Sequence, residues 1–332
     1  MINKLENIGF YTLTDERAMN SSLNSRMMRC ELLLLDTCNF KCPYCRGLKD
    51  YIYGDRQKKQ LSLEEVKRNI DYWCENEPLE NIRFSGGEPT LHKDIVEIIA
   101  YSKHKGIKRV AISTNGSNDT RLYETLYCTG VDDFSISLDA CCAEDGDKMA
   151  GGIKGSWDIV INNIREISKL TYVTVGVVLN EMNIDSTIET IKLADSLGIS
   201  DIRIISSAQY NRPIPRLNEV PQTIKDKYPI LNYRINNFAN GVNVRGILET
   251  DSHRCGLMLD DSIIAGDWMF QCVIHMREGG KPIGKVGPNM RKERYNFMQT
   301  FDTHNDSICK KNCLDVCVAY NNKYEEYHGR KN

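Results

Sequence analysis

Cys38-Asn39-Phe40-Lys41-Cys42-Pro43-Tyr44-Cys45 carries three thiols spaced C-x3-C-x2-C, just after the apolar run Leu32 to Leu35. Three thiolates on one tight loop can hold three irons of a cubane and leave the fourth without a protein ligand. That open iron can take the amino and carboxyl groups of a methionine moiety. A structural zinc loop is the competing reading. It wants four ligands, usually paired two to four residues apart, and no fourth Cys or His lies close by.

Outward from this loop, strand-like and helix-like segments alternate with short connections. The strand-like runs are 29–35, 81–84, 109–113, 133–138, 171–179 and 201–205. In the first helical pattern Leu63, Val66, Ile70 and Trp73 share a face, opened by a Ser62–Glu65 capping box. Four more helical patterns cover about 93–105, 120–128, 155–169 and 184–197. Several strands are continuously apolar, as expected where both faces of a parallel sheet are covered. Alternation implies right-handed crossovers and an α/β fold. Six strands fall short of the eight of a closed barrel, and strand count alone does not separate a partial barrel from a doubly wound open sheet. Prolines 213, 215, 221 and 229 mark a change of pattern. The expected division is an N-terminal extension (1–28), the β/α core (29–206), a linker and helix (207–240) and a cysteine-rich tail (241–332) of hairpins and a short helix.

The triad with Tyr44 resembles the C-x3-C-x-aromatic-C signature of the radical S-adenosylmethionine (SAM) superfamily. The resemblance covers about residues 29–206 and implies a partial (β/α)6 barrel. It further implies a [4Fe–4S] cluster on Cys38, Cys42 and Cys45, S-adenosylmethionine as cofactor, and Tyr44 lying against adenine. Ser85-Gly86-Gly87-Glu88-Pro89 ends the second strand and is similar to the family's GGEP motif, whose role is binding the methionine amino group. Two glycines admit close backbone approach, and a carboxylate there can accept from an ammonium, although Gly-Gly serves an ordinary βα turn equally well. Ser113 and Asn115 at the third strand end and Ser137 at the fourth stand where relatives touch the ribose and the methionine carboxylate; helix capping is the alternative for each. One departure stands out: Ala150 occupies the place of an arginine that in many relatives pairs with that carboxylate, and Lys148 offers only a point charge.

Beyond the core, Cys255 and Cys272 flank Gly266, and Cys309, Cys313 and Cys317 recur at i, i+4 and i+8, nearly one helical face. This half-motif resembles twitch and SPASM extensions, with five residues rather than four between Gly266 and Cys272. The resemblance implies a second, auxiliary [4Fe–4S] cluster held by four of the five; buried free cysteine is the alternative.

With 332 residues, 41% apolar and 27% charged, the composition is that of a globular protein, and a net charge of −2 argues against a polyanion partner. No signal-peptide or membrane-length apolar run is present, and thirteen cysteines outside a disulfide setting point to metal or redox chemistry in the cytoplasm. The family chemistry implies an oxidoreductase-type enzyme served by a low-potential donor such as flavodoxin or ferredoxin. Only 37 residues precede Cys38, fewer than the roughly 80 of a leader-recognition domain. The expected substrate is therefore a small polar metabolite. A ribosomally made peptide is the alternative, and an iron–sulfur electron carrier or zinc-binding module is the non-enzymatic one.

Overall fold

A computed structural model describes residues 15–48, 52–53, 59–208, 215–242 and 244–329. The first fourteen residues of the N-terminal extension, Lys58, Pro213 and Arg330-Lys331 lie outside these. After a short helix α1 (Asp15–Asn20) come β1 (Arg29–Leu35), α2 (Leu63–Cys74), β2 (Asn81–Gly86), α3 (Ile95–His104), β3 (Arg109–Thr114) and α4 (Thr120–Thr129). Then follow β4 (Asp133–Ser137), α5 (Ala143–Met149), α6 (Ser156–Ile167), β5 (Tyr172–Leu179), α7 (Thr187–Ser196) and β6 (Asp201–Ser206). The Ser62 capping box forms as read: Ser62 Oγ accepts from the Glu65 amide, and the Glu65 side chain accepts from the Ser62 amide.

β1 to β6 lie side by side in sequence order, every neighbouring pair parallel. A doubly wound sheet would reverse its order at an internal switch point. Sequential order instead means that the strands wind one way, as in a partial barrel.

Register separates the two faces. Outward positions such as Leu32, Phe84, Ile112, Phe134, Val175 and Ile204 form one apolar core with the helices. Many inward positions are polar: Glu31 stands beside Arg83, Asp133 beside Ala111, Ser135 beside Thr174, and Thr174 beside Asp201. The sequence expectation of continuously apolar strands therefore fails for the inner face. Its charges are tolerated because they pair: Arg29–Glu31 at 3.0 Å, Arg109–Asp133 at 2.6 Å and Arg83–Asp133 at 3.6 Å.

The proline-marked segment carries α8 (Gln222–Lys227) and α9 (Pro229–Ala239). Asp201, at the start of β6, accepts from the Ile230 and Leu231 amides at 3.1 and 3.4 Å, and Ile224, Leu231 and Ile235 join the core of the β/α units. The tail then supplies β7 (Asp261–Ala265), β8 (Trp268–Phe270), α10 (Val273–Arg277), β9 (Gly284–Lys285), α11 (Met290–Thr300), α12 (Ser307–Asn312) and α13 (Asp315–His328). β7 pairs parallel with β1, and β8 and β9 continue antiparallel, so the tail extends the same sheet.

Cys309, Cys313 and Cys317 do not share one helix, contrary to the i, i+4, i+8 reading. α12 ends at Asn312, its C-cap Cys313 has an extended ψ of 134°, and α13 begins two residues after that cap. The break is held by tertiary bonds that outcompete helix continuation. Gly246 N donates to Cys313 O at 2.8 Å, Asp315 N donates to Val244 O at 3.1 Å, and buried Asp315 pairs with Arg234 at 2.6 Å. Among the described residues, no helix is long and apolar enough to cross a membrane.

Candidate cofactor site and cysteine cavity

The triad loop leaves the end of β1 and is fastened to two neighbouring turns. Gly87 N donates to Leu35 O at 2.7 Å, Glu88 N to Thr37 O at 2.8 Å, and Lys41 N to Ala150 O at 3.0 Å. The Gly-Gly turn packs directly on the root of the loop: a Cβ on Gly86 would sit 2.3 Å from Leu35 O, and one on Gly87 2.2 Å from Thr37 O. A Cβ on Gly151 would likewise meet Lys41 Cβ at 2.7 Å. Ala150-Gly151 thus has a packing role against the triad loop. Lys148 does not take over from the missing arginine, since it is exposed and paired with Glu144 at 2.9 Å.

Amide donors already point at the sulfurs. Phe40 N lies 3.4 Å from Cys38 Sγ, Gly47 N lies 3.4 Å from Cys45 Sγ, and Asn115 Nδ2 lies 3.8 Å from Cys38 Sγ. Cys38 and Cys45 are exposed, while Cys42 is half-buried, its thiol pushed up to about 12 by burial and then by Asp139 and the other two cysteines. Three thiols on one loop, with donors directed at two of them, fit a thiolate-ligated cluster. Among the described residues, no three His, Cys, Asp or Glu side chains close on a point as ligands of a single metal ion do.

Cys42, Asn115 and Ser137 line one pocket together with Phe40, Met149 and Trp157. Asp139 lines it too and accepts a hydrogen bond from Tyr44 OH, with Val178 N donating to its other oxygen at 2.6 Å. Burial raises the Asp139 carboxyl to about 6. The sequence reading gave Asp139 no role in the site. The one signal for it is its place two residues after Ser137, on the same alternation. Met149 belongs to α5, a seven-residue helix too short to show periodicity.

The other sequence-named residues lie elsewhere. Ser113 accepts from Arg83 Nη1 at 3.1 Å on the inner face. Pro89 opens a buried three-ten turn capped by Glu88. Glu88 is 1% exposed, and its carboxylate faces inward. One oxygen accepts from Thr90 N (3.1 Å), Thr90 Oγ1 (2.6 Å) and Thr114 Oγ1 (2.7 Å), the other from Asn115 N (2.7 Å). It clamps the ends of β2 and β3 and, through the Asn115 amide, sets that side chain beside Cys38. The free acceptor expected from the motif is spent on these internal bonds.

In the tail, Cys255, Cys272, Cys309, Cys313 and Cys317 all line a single cavity, with Leu257, Met258 and Ile274 among its apolar walls. Gln271 Nε2 lies 3.4 Å from Cys309 Sγ, Asn321 Nδ2 3.7 Å from Cys255 Sγ, and His275 N 3.3 Å from Cys272 Sγ. Burial, and then the neighbouring Cys255, push the Cys272 thiol up to about 12. α10 starts at this cavity and ends on the triad loop. Arg277 donates to Gly47 O at 3.3 Å and to Gly86 O at 3.1 Å, and Glu278 pairs with Arg46. No sequence pattern marked this link, because it joins residues far apart in the chain.

Residues 32–194 match the family described as Radical SAM superfamily. A probable GTP 3′,8-cyclase of Saccharolobus islandicus is 30% identical over 178 residues, 52% of this chain and 55% of that protein. The chain thus spans about half the length of that relative. A putative glycyl-radical enzyme activating enzyme of Methanocaldococcus jannaschii is 30% identical over 203 residues, 57% of this chain and 80% of that protein. Among solved structures, Streptococcus suis SuiB bound to S-adenosylmethionine superposes with a TM-score of 0.62 at 13% identity, covering 89% of this chain and 70% of that one. anSMEcpe with bound AdoMet gives 0.56 at 16% identity, covering 90% and 93%. At these identities the structural likeness is one of fold.

Proposed function

Because the chain belongs to the radical SAM superfamily, we propose that Cys38, Cys42 and Cys45 ligate a [4Fe–4S] cluster and that the pocket beside Cys42 takes S-adenosylmethionine. When bound, the pair supplies reductive cleavage of the sulfonium to methionine and a 5′-deoxyadenosyl radical, which takes a hydrogen atom from the substrate. The observation that carries this reading is the convergence of Cys42, Asn115 and Ser137, from three separate strand ends, on one pocket. Asn115 and Ser137 offer polar groups to the cofactor's ribose or methionine end. Asp139 fixes the ring of Tyr44 through its hydroxyl. Met149 and Trp157 supply an apolar wall that excludes water.

The substrate is a small polar metabolite. The polar inner face of the barrel supports this, as does the name of the GTP 3′,8-cyclase relatives, whose namesake substrate is a small phosphorylated molecule. A peptide substrate is the second reading; the SuiB fold has been solved with its precursor peptide SuiA. The five-cysteine cavity holds an auxiliary [4Fe–4S] cluster that assists substrate binding or accepts an electron; five thiols on one cavity, three with a side-chain or backbone amide beside them, support it. The reducing electron comes from a low-potential protein such as flavodoxin or ferredoxin, and thirteen free cysteines suit the reducing cytoplasm.

The test is anaerobic reconstitution with iron and sulfide, followed by S-adenosylmethionine and dithionite. Wild type forms 5′-deoxyadenosine, and Cys42→Ala, with its fold intact, forms none. Undiminished cleavage by the variant ends this reading.

A further inference from the structure

Ser137 on β4, Gly176 on β5 and Arg203 on β6 stand side by side in register, forming one row of the inner face at the triad end of the sheet. Gly176 leaves the space over β5 open, and the Arg203 side chain fills it: a Cβ at Gly176 would lie 3.8 Å from Arg203 Nη2. Nη2 crosses β5 and donates to Ser135 Oγ on β4 at 3.3 Å. The guanidinium therefore lies across the inner surface of the barrel, and Arg203 as a residue is half-buried.

Its surroundings are unlike those of the other inner-face arginines. Arg29 meets Glu31 and Asp261, at 3.0 and 3.5 Å, and Arg83 and Arg109 share Asp133. Among the described residues, Arg203 has no carboxylate within ion-pair distance, and the like charges of Arg83 and Arg29 act on it against that of Glu31. Asp201, two residues earlier on the same strand, is committed to the α9 amides. The other inner-face carboxylates, Glu31, Asp133 and Asp261, pair with Arg29, Arg83 and Arg109, and none of them pairs with Arg203. An enclosed cation without a counter-charge is costly, and a bound anion offsets that cost. A guanidinium presents a planar fork that matches carboxylate and phosphate oxygens, where an ammonium would offer a single point.

We propose that Arg203 is the anion anchor of the barrel: it receives a carboxylate or phosphate group of the substrate and so orients that molecule in the row shared with Ser137. The assignment rests on the proposed cofactor site and narrows its substrate to molecules bearing an anionic oxygen group. The methionine carboxylate of the cofactor has the same chemistry, so the test separates the two sources.

Inorganic pyrophosphate is titrated calorimetrically into the reconstituted holoenzyme, its Arg203→Gln variant and its Arg203→Lys variant, and S-adenosylmethionine into the same three. Pyrophosphate affinity falls at least about tenfold in Arg203→Gln and by less in Arg203→Lys, the cost of a lost charge-assisted contact. Cofactor affinity stays within about twofold across the set. Arg203→Lys keeps the buried charge, so it reports on the site if Arg203→Gln does not fold. Equal pyrophosphate affinity in all three proteins, or no binding by wild type, overturns the anchor. A tenfold loss confined to S-adenosylmethionine assigns Arg203 to the cofactor and overturns the substrate role. A wild type that forms no 5′-deoxyadenosine instead sinks the cofactor site itself, a separate result.

Discussion

Replacing Glu88 by glutamine keeps the shape of the side chain and removes one acceptor. If the amide oxygen stays with Thr90 and Thr114, its nitrogen faces the Asn115 amide, and the 2.7 Å bond becomes a meeting of two donors. The loss is one hydrogen bond to a charged group, about 1.5–3 kcal/mol, and one buried N–H left without an acceptor, about 1–3 kcal/mol. The expected destabilisation is therefore about 2.5–6 kcal/mol, a large part of the roughly 5–15 kcal/mol that holds a typical domain. Equilibrium urea unfolding of the anaerobic protein, followed by far-UV circular dichroism, measures it. Cofactor affinity, taken by calorimetry where the variant is folded, falls as a secondary effect of Asn115 moving away from Cys38. The opposite pattern refutes the clamp: a stability loss below about 1 kcal/mol with cofactor binding abolished means that the carboxylate meets the ligand itself.

Three further outcomes are expected. Arg277→Gln frees Gly47 O and Gly86 O, so it weakens S-adenosylmethionine binding while sparing the iron content of the tail; unchanged affinity would show that α10 does not position the triad loop. Asp139 holds its proton up to about pH 6 in the folded chain against an ordinary 3.8. Its contribution to stability therefore falls as pH rises from about 4 to 6, by at most about 3 kcal/mol, and levels off above. Asp139→Asn removes that slope from the pH profile of urea unfolding, and a persisting slope assigns it to another group. The triple variant Cys38/Cys42/Cys45→Ala retains about four irons per chain against about eight in wild type, with a [4Fe–4S]²⁺ Mössbauer signal; an iron-free triple variant rules out the auxiliary cluster.

The six strands were legible in the sequence because β/α alternation is a local pattern, and their ends fell within two residues of those observed. The partial barrel was legible only through resemblance, since sheet order depends on which distant strands pair. Glu88 shows why a motif misleads about a side chain. Gly-Gly-Glu-Pro fixes the path of the turn, but whether the carboxylate points in or out is decided by Thr90, Thr114 and the Asn115 amide. The spacing of Cys309, Cys313 and Cys317 is helical, yet pairing of 313–315 with 244–246 breaks the helix. Arg203 was read only as part of a strand-like run. Its isolation from carboxylates becomes visible once β4, β5 and β6 are aligned.

The parallel pairing of β1 with β7 also has a consequence for biosynthesis. β1 is made first and carries Leu32-Leu33-Leu34-Leu35, but the partner on one of its edges, residues 261–265, is made more than two hundred residues later. At about 5–20 residues per second, that edge waits on the order of ten to forty-five seconds on the ribosome. An unpaired apolar edge of this kind is a template for joining another chain. The nascent protein is thus exposed to aggregation until its tail emerges, and clones truncated before residue 261 are expected in inclusion bodies rather than as a minimal barrel.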